Sequence, residues 1–432
     1  MVWPCPGREA QACSPPPECL GVQSGPRQPA NEALGLKYVN FLFHIYQPPT
    51  QDPRVLDRIA EECYGPLSEL FIELADLRFS LNIPYSLVEQ LQVGHPEVLD
   101  RIRRAWAAGT LELTATAAYH PILPLIPENE ARRQLAISLE GLRRWLGPGF
   151  APEGVVPPEM AFDGGLAGLL AEAGYRWTVA DDGILTHFGR PIPCDWVYRF
   201  VGLSVFLRSN YWSNRFANAD PIWTDGGRAF RDLRNGLADW MGDGDGYLII
   251  SVDGETFGHH HKRLGADFLR QLFTPFRDPP GDIRLTHLAD LHANPVFGRR
   301  EGFIPPSSWS FDPVDIDREG PFASWKARGN PIQAQLWALL DLVRDEVERT
   351  GDPGLRGQLD RALYSCTFWY ASLWSFDPGQ VYKGASLMME ILQAATAWSD
   401  RTNALERGER LFRDLVTACE VQRYALSKGP RG

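Results

Sequence analysis

The sequence predicts an α/β protein: about seven parallel β/α units whose sheet is closed or nearly closed into a barrel, followed by a C-terminal helical domain. Three observations predict it. From Tyr38 to about residue 290, short runs rich in β-branched and aromatic residues alternate with helix-length segments. After about Phe303 the apolar residues recur at helical spacing. The chain, 432 residues with 44% hydrophobic, is long enough for one large core or two unequal ones.

The strand candidates in order are YVNFLFH (38–44), RFSLNIP (78–84), LELTATA (111–117), GVVPP (154–158), RWTVAD (176–181), LSVFLR (203–208), GYLIISVD (246–253) and IRLTHL (283–288). Strands separated by helices of this length pair in parallel through right-handed crossovers, and about seven such units curl toward a barrel. Between them, Leu67–Leu77 and Leu87–Ala107 read as helices, the second carrying Leu87, Leu91, Val98 and Ile102 on its apolar side. Asn330-Pro331 is a helix start, with Asn as N-cap and Pro at the first helical position, and Ile332, Leu336, Leu339, Leu340, Val343 and Val347 follow until Gly351. Segments at about 355–376, 384–398 and 401–426 read the same way. The expected domains are a disordered leader (1–36), a catalytic barrel (37–302) and a helical bundle (303–432).

Composition narrows the function. A formal net charge of −11 disfavours a nucleic-acid partner, whose phosphates require lysine and arginine. No run of about 18 apolar residues is present, so no membrane span is expected. The opening MVWPCPGREA has no early basic residue and no apolar core of a secretory signal, which predicts a cytoplasmic protein. Seven scattered cysteines form neither a disulfide framework nor a C-x-x-C pair. Fourteen tryptophans, 13 tyrosines and 22 phenylalanines offer flat faces of the kind that sugar rings stack on, although most aromatics fill cores.

In a parallel barrel, catalytic groups gather where the strands end at their C-termini. His44 and Gln47 end the first strand, Glu112 lies in the third and His120 follows it. Glu159 ends GVVPP, and Asp253 and Glu255 end GYLIISVD. Cleaving a glycosidic bond takes two carboxyl groups, one to protonate the leaving oxygen and one to attack or to activate water. Glu159, stiffened by two preceding prolines, and Asp253, after a strongly apolar strand, fit those parts. Taken singly, each also reads as structural: Glu159 as a cap of the next segment, Asp253 as part of an Asp-Gly turn.

FLFHIYQPP (41–49), GTLELTATAAYHPILPLI (109–126), VVPPEMAF (155–162) and SVDGETFGHHH (251–261), in that order, resemble the conserved regions of glycoside hydrolase family 57; IPPSSW (304–309) and the helical tail match more weakly. The resemblance implies an incomplete seven-stranded parallel (β/α)7 barrel followed by a C-terminal helical domain, and retaining chemistry on α-glucans or maltooligosaccharides, without a metal or other cofactor. By position it makes Glu159 the nucleophile and Asp253 the general acid/base. His44, Glu112 and Glu255 match residues that bind the sugar at the cleavage point, while Trp309 and Trp369 lie where the family places aromatics near the substrate. Gln47 and His120 are further substrate-binding candidates from their strand-end positions, as is His260, which stands where the family has a tryptophan. The chain also departs from the family at Tyr46, which replaces a second histidine, at Val156, which replaces an aromatic, and at Cys366 in the helical tail.

Two other readings remain at this stage. One is a glucan-binding relative that has lost turnover, prompted by Tyr46, Val156 and His260. The other is a metal-dependent polysaccharide deacetylase using His259, His260, His261, Asp181 and Asp182, although consecutive side chains diverge and cannot all face one ion.

Overall fold

The computed structural model describes residues 35–278, 281–310, 312–397 and 402–428. The expected leader 1–36 therefore falls almost wholly outside the described residues. The rest divides into two compact units: residues up to 118 with 127–309, and residues 119–126 with 310 onward.

Among the described residues the first unit holds ten strands: β1 (Lys37–His44), β2 (Phe79–Asn82), β3 (Leu111–Leu113), β4 (Gly154–Val155), β5 (Trp177–Asp181), β6 (Trp196–Phe200), β7 (Leu203–Arg208), β8 (Gly246–Asp253), β9 (Ile283–Leu285) and β10 (Gly298–Glu301). Seven parallel strands, β3-β2-β1-β8-β7-β5-β4, curl into the expected incomplete barrel. Its seams are thin at two places. β7 meets β8 through the single pair Arg208 and Ile249, and β3 meets β4 only through the bridge between Ala115 and Val155. β9 adds to the lower half of β1, pairing Lys37–Val39 with Ile283–Leu285.

Two strands were not anticipated. β6 runs antiparallel to β7, and β10 pairs with β6. The β6–β7 hairpin turns through Val201 and Gly202, both at positive φ (51° and 80°), the geometry of a two-residue hairpin loop. Asn-Gly is the usual signal for that turn, and Val-Gly hides it. Leu87–Ala107, expected as one helix, is two, Tyr85–Gly94 and Pro96–Ala107, because Pro96 cannot continue the first.

Alternation along β1 and β8 decides what faces the barrel interior. Phe41, Phe43, Leu248, Ile250 and Val252 point outward into the core under the helices, whereas Leu42, Tyr247 and Ile249 point inward. His44 and Asp253 share the inward phase and are register partners at the ends of their strands. Inside the barrel, polar side chains form two tiers. In the lower, Asn40 donates to Ser80 Oγ (2.8 Å) and Ser80 donates to Glu112 (2.7 Å). In the upper, His44 Nδ1 meets Asn82 Oδ1 (2.7 Å) and Asn82 donates to Thr114 (2.8 Å).

The second unit is helical. Its main helices are Pro331–Thr350, Pro353–Ala362, Pro378–Thr396 and Thr402–Ser427. Asn330 caps the first as expected, accepting from the backbone N–H of Ile332 and Gln333 (3.0 Å each), and Gly351 ends it in the left-handed conformation. The stretch expected as one helix over 355–376 ends instead at Ala362 and resumes only for Cys366–Trp369. Between them the Ser365 N–H turns away to donate to the His120 carbonyl (3.1 Å). No helix among the described residues is long and apolar enough to cross a membrane.

Candidate active site

Asp253 and His44 reach the site by register alone, since each is the last residue of its strand. Asp253 accepts no hydrogen bond from any described residue; burial pushes its carboxyl up to about 6, and the Arg208 guanidinium pulls it down. His44 is buried beside Asn82, and burial lowers its imidazole to about 4, so it is neutral at pH 7.

Glu159 takes more construction. It follows Pro157 and Pro158 and sits at φ 57°, ψ 16°, a left-handed conformation costly for a side chain other than glycine. The chain opposite holds it there. Phe162 and Ser307 exchange backbone hydrogen bonds (2.8 and 3.0 Å), and the Trp309 N–H donates to the Glu159 carbonyl (3.1 Å). The Trp309 indole N–H then donates to Glu159 Oε2 at 2.6 Å, the one hydrogen bond its carboxylate accepts from described residues. Glu159 is not a helix cap: Asp163 caps the helix Gly164–Glu172. Burial raises the Glu159 carboxyl to about 8, with Trp309 opposing and the Asp253 charge adding. The two carboxyl groups therefore feel one another, and the protein alone holds a proton more tightly on Glu159 than on Asp253.

Around this pair, Glu255 Oε1 collects the backbone N–H of Tyr46 (3.1 Å), Gln47 Nε2 (3.3 Å) and the Tyr64 hydroxyl. Gln47 also donates to Tyr64 (3.0 Å). Burial, then the Asp253 charge, raises Glu255 to about 8. The Tyr46 ring lies stacked 6.2 Å from His44, and Trp309 meets His44 edge-on at 5.8 Å. Val156 is buried in the barrel core with Met160 and Trp177.

Glu112 lies deeper in the same barrel. It stands in the lower tier, in register with Ser80 and Leu42, two residues below His44, which amounts to about 7 Å along the strand. Its oxygens accept from Ser80 and from the N–H groups of Leu288 (2.7 Å) and Ala289 (2.9 Å), so it serves the start of the helix Leu288–Ala293 rather than the upper tier. His120 and Trp369 belong to the second unit. His120, at φ 60°, meets Ser365 Oγ through Nδ1 (3.0 Å), and Trp369 packs 5.6 Å from Trp325. His260 is half-buried beside His259, its N–H donating to the Glu255 carbonyl (2.8 Å), and burial lowers its imidazole to about 4.

The residues of the deacetylase reading disperse. His259 bonds Glu62 (2.6 Å) and His261 the Ala217 carbonyl (2.9 Å), while Asp181 pairs with Arg208 (2.5 Å) and Asp182 accepts from the Asn210 N–H (2.9 Å). Among the described residues no three histidine, cysteine or acidic side chains gather as a metal would require. Sequence reasoning missed Arg208, Tyr64 and Asn82. The first ends a predicted strand, and its inward position was the available signal.

The α-amylase of Pyrococcus horikoshii is 30% identical over 146 residues, 33% of this chain and 23% of that protein, so the chain spans about a quarter of its relative's length. Among solved structures, the 4-α-glucanotransferase of Thermococcus litoralis superposes with a TM-score of 0.64 at 18% identity, covering 83% of this chain and 60% of the other. A branching enzyme of the same family from Pyrococcus horikoshii gives 0.64 at 14% identity, over 87% and 94% of the two chains. These likenesses establish the shared fold. Residues 41–299, more than half of the sequence, match the profile of glycosyl hydrolase family 57, with the four motif regions inside or overlapping that span, and the chain belongs to that family.

Proposed function

We propose that the protein is a retaining α-glucan-active enzyme, with Glu159 as nucleophile and Asp253 as general acid/base. The observation that carries this reading is the contrast in how the carboxylates are occupied. Among the described residues Asp253 takes no donor and Glu159 a single indole N–H, while both are buried enough to titrate near neutrality. Named relatives act on α-glucans, as an α-amylase and a 4-α-glucanotransferase, which supports that substrate class.

In the first step a Glu159 oxygen attacks the anomeric carbon as the bond to the glycosidic oxygen breaks, and Asp253 gives its proton to that oxygen. In the second, water or a sugar hydroxyl gives a proton to Asp253 and attacks the same carbon, releasing Glu159 with net retention. The resting proton preference runs against these roles, because the protein alone favours a proton on Glu159. Substrate reverses the balance: positive charge developing at the anomeric carbon favours ionised Glu159, and a sugar over Asp253 excludes the water that would stabilise its charge.

The test is incubation with maltooligosaccharides and amylose beside Glu159→Gln, following products by chromatography and anomeric configuration by NMR. Retained configuration, absent in the variant, is the expected result. No turnover with glucan still bound would instead identify a binding relative, and inversion would remove the double-displacement mechanism.

A further inference from the structure

Arg208 ends β7 and is 3% exposed, with every nitrogen of its guanidinium engaged. Nε donates to the Ser251 carbonyl (2.9 Å), Nη1 to Asp181 Oδ2 (2.5 Å) and Nη2 to Asn214 Oδ1 (3.2 Å). Those anchors come from β8, from β5 and from the helix Asn210–Ala217. Asp181 is itself fixed, its other oxygen accepting from the Gly183 N–H (2.9 Å) and Asn210 Nδ2 (3.1 Å). The guanidinium carbon lies 5.5 Å from the centroid of the Trp309 ring, the ring whose N–H reaches Glu159. The Ser251 carbonyl that anchors it lies two residues before Asp253, about 7 Å along β8.

We propose that Arg208, clamped by Asp181, is a positioning residue of the reaction: its guanidinium seats the Trp309 indole that donates to Glu159 and holds a fixed positive charge beside Asp253. One side chain thereby reaches both reacting carboxyls, Glu159 through an indole and Asp253 through its field, without touching substrate. A guanidinium suits this task because its plane can lie against an aromatic ring while its edge bonds carboxylate and carbonyl together, which a lysine cannot do. Its charge opposes the desolvation of Asp253, in agreement with the downward pull on that carboxyl.

This rests on Glu159 and Asp253 being the reacting pair, so the test includes a readout that needs no turnover. Stability is measured against pH for the wild type, Asp253→Asn, Arg208→Gln and the double variant Arg208→Gln/Asp253→Asn. Asp253 has a folded-state pKa raised above its unfolded value, so the stability it contributes is present at low pH and is lost as pH rises toward about 6. In the Arg208→Gln background, the Asp253-dependent loss should extend to higher pH by about one unit. Because Arg208→Gln leaves buried Asp181 without its cation, the neutral pair Asp181→Asn/Arg208→Gln is compared with and without Asp253→Asn as well.

In turnover, Arg208→Gln should lower kcat/KM by about 100-fold, mostly in kcat, and move one limb of its pH profile upward, with Arg208→Lys restoring the limb and only part of the rate. An Asp253 titration unchanged in both backgrounds would overturn the proposal whatever the activity. An inactive wild type with the titration shifted as expected would overturn the reaction assignment and leave the geometry of Arg208 intact.

Discussion

Glu112 and Glu159 invite comparison because they look alike by the usual marks of a catalytic carboxyl. Both are glutamates of the barrel unit, and burial raises both, to about 7 and about 8. Their partners differ. Glu112 is surrounded by a hydroxyl and two backbone N–H groups that the fold supplies, and its place two residues below the strand end commits it to the lower tier. Glu159 accepts from one indole and sits on a backbone held in a strained conformation. A raised pKa thus records burial, which structural and reacting groups share. Unclaimed acceptor capacity and tolerated strain separate the two.

The largest effect that would sharpen this contrast belongs to the reacting pair. Glu159→Ala and Asp253→Ala should each reduce kcat by about 1,000-fold or more while moving the melting temperature little, since Asp253 is a desolvated carboxyl to which no described residue donates and Glu159 gives up only one indole N–H. Added azide should then distinguish the two roles. With Glu159→Ala, azide attacks from the vacated side and gives a glycosyl azide of inverted configuration; with Asp253→Ala, the glycosyl-enzyme still forms on activated substrates and azide gives the retained product. The opposite pattern would exchange the roles and agree with the resting preference of the proton for Glu159.

A smaller effect is expected at Trp309. Its indole N–H is the one hydrogen bond Glu159 accepts from described residues, and bonds to a charged group are worth about 1.5–3 kcal/mol, or about 10–100-fold in rate. Trp309→Phe keeps the ring over Arg208 and removes the donor. It should lower kcat in that range and raise the apparent pKa of the pair, visible as an upward shift of the acid limb of kcat/KM. A loss confined to KM would make Trp309 a platform for sugar and leave Glu159 indifferent to its indole.

The sequence was legible where periodicity and chain direction coincide. Parallel strands of alternating phase bring His44 and Asp253 together by register alone, so naming the ends of FLFH and IISVD was enough to find them. Glu159 was legible for a different reason, because Pro157 and Pro158 advertise a constrained backbone. What periodicity cannot reveal is depth. Glu112 and Thr114 share a face of the same strand segment, and only the stagger of β2 against β1 and β3 assigns Thr114 to the tier of His44 and Glu112 to the tier beneath. The residues missed share a second difficulty. Arg208, Tyr64 and Asn82 each meet a partner more than 25 residues away, Asp181, Glu255 and His44 in turn, and apart from the inward phase of Arg208 at its strand end nothing local marks them.

The smallest effect on activity, and the one most able to break the comparison, is expected at Glu112. Glu112→Gln keeps the shape but exchanges an acceptor for an amide that cannot accept from the backbone N–H it would face. It should cost about 1–3 kcal/mol of stability and change kcat by less than about threefold. The pH dependence carries a sign. Because burial raises the folded-state pKa of Glu112 from 4.5 to about 7, its proton stabilises the folded state, and that contribution is complete below pH 4.5 and lost as pH rises to about 7. The stability gap between wild type and Glu112→Gln should therefore narrow from pH 4.5 to 7 and stay constant above, in thermal melts across that range. A gap that widened would mean that the three donors hold Glu112 ionised throughout. A variant as stable as the wild type but 100-fold slower would place Glu112 among the reacting groups, and the distinction between tiers would fail at its lower one.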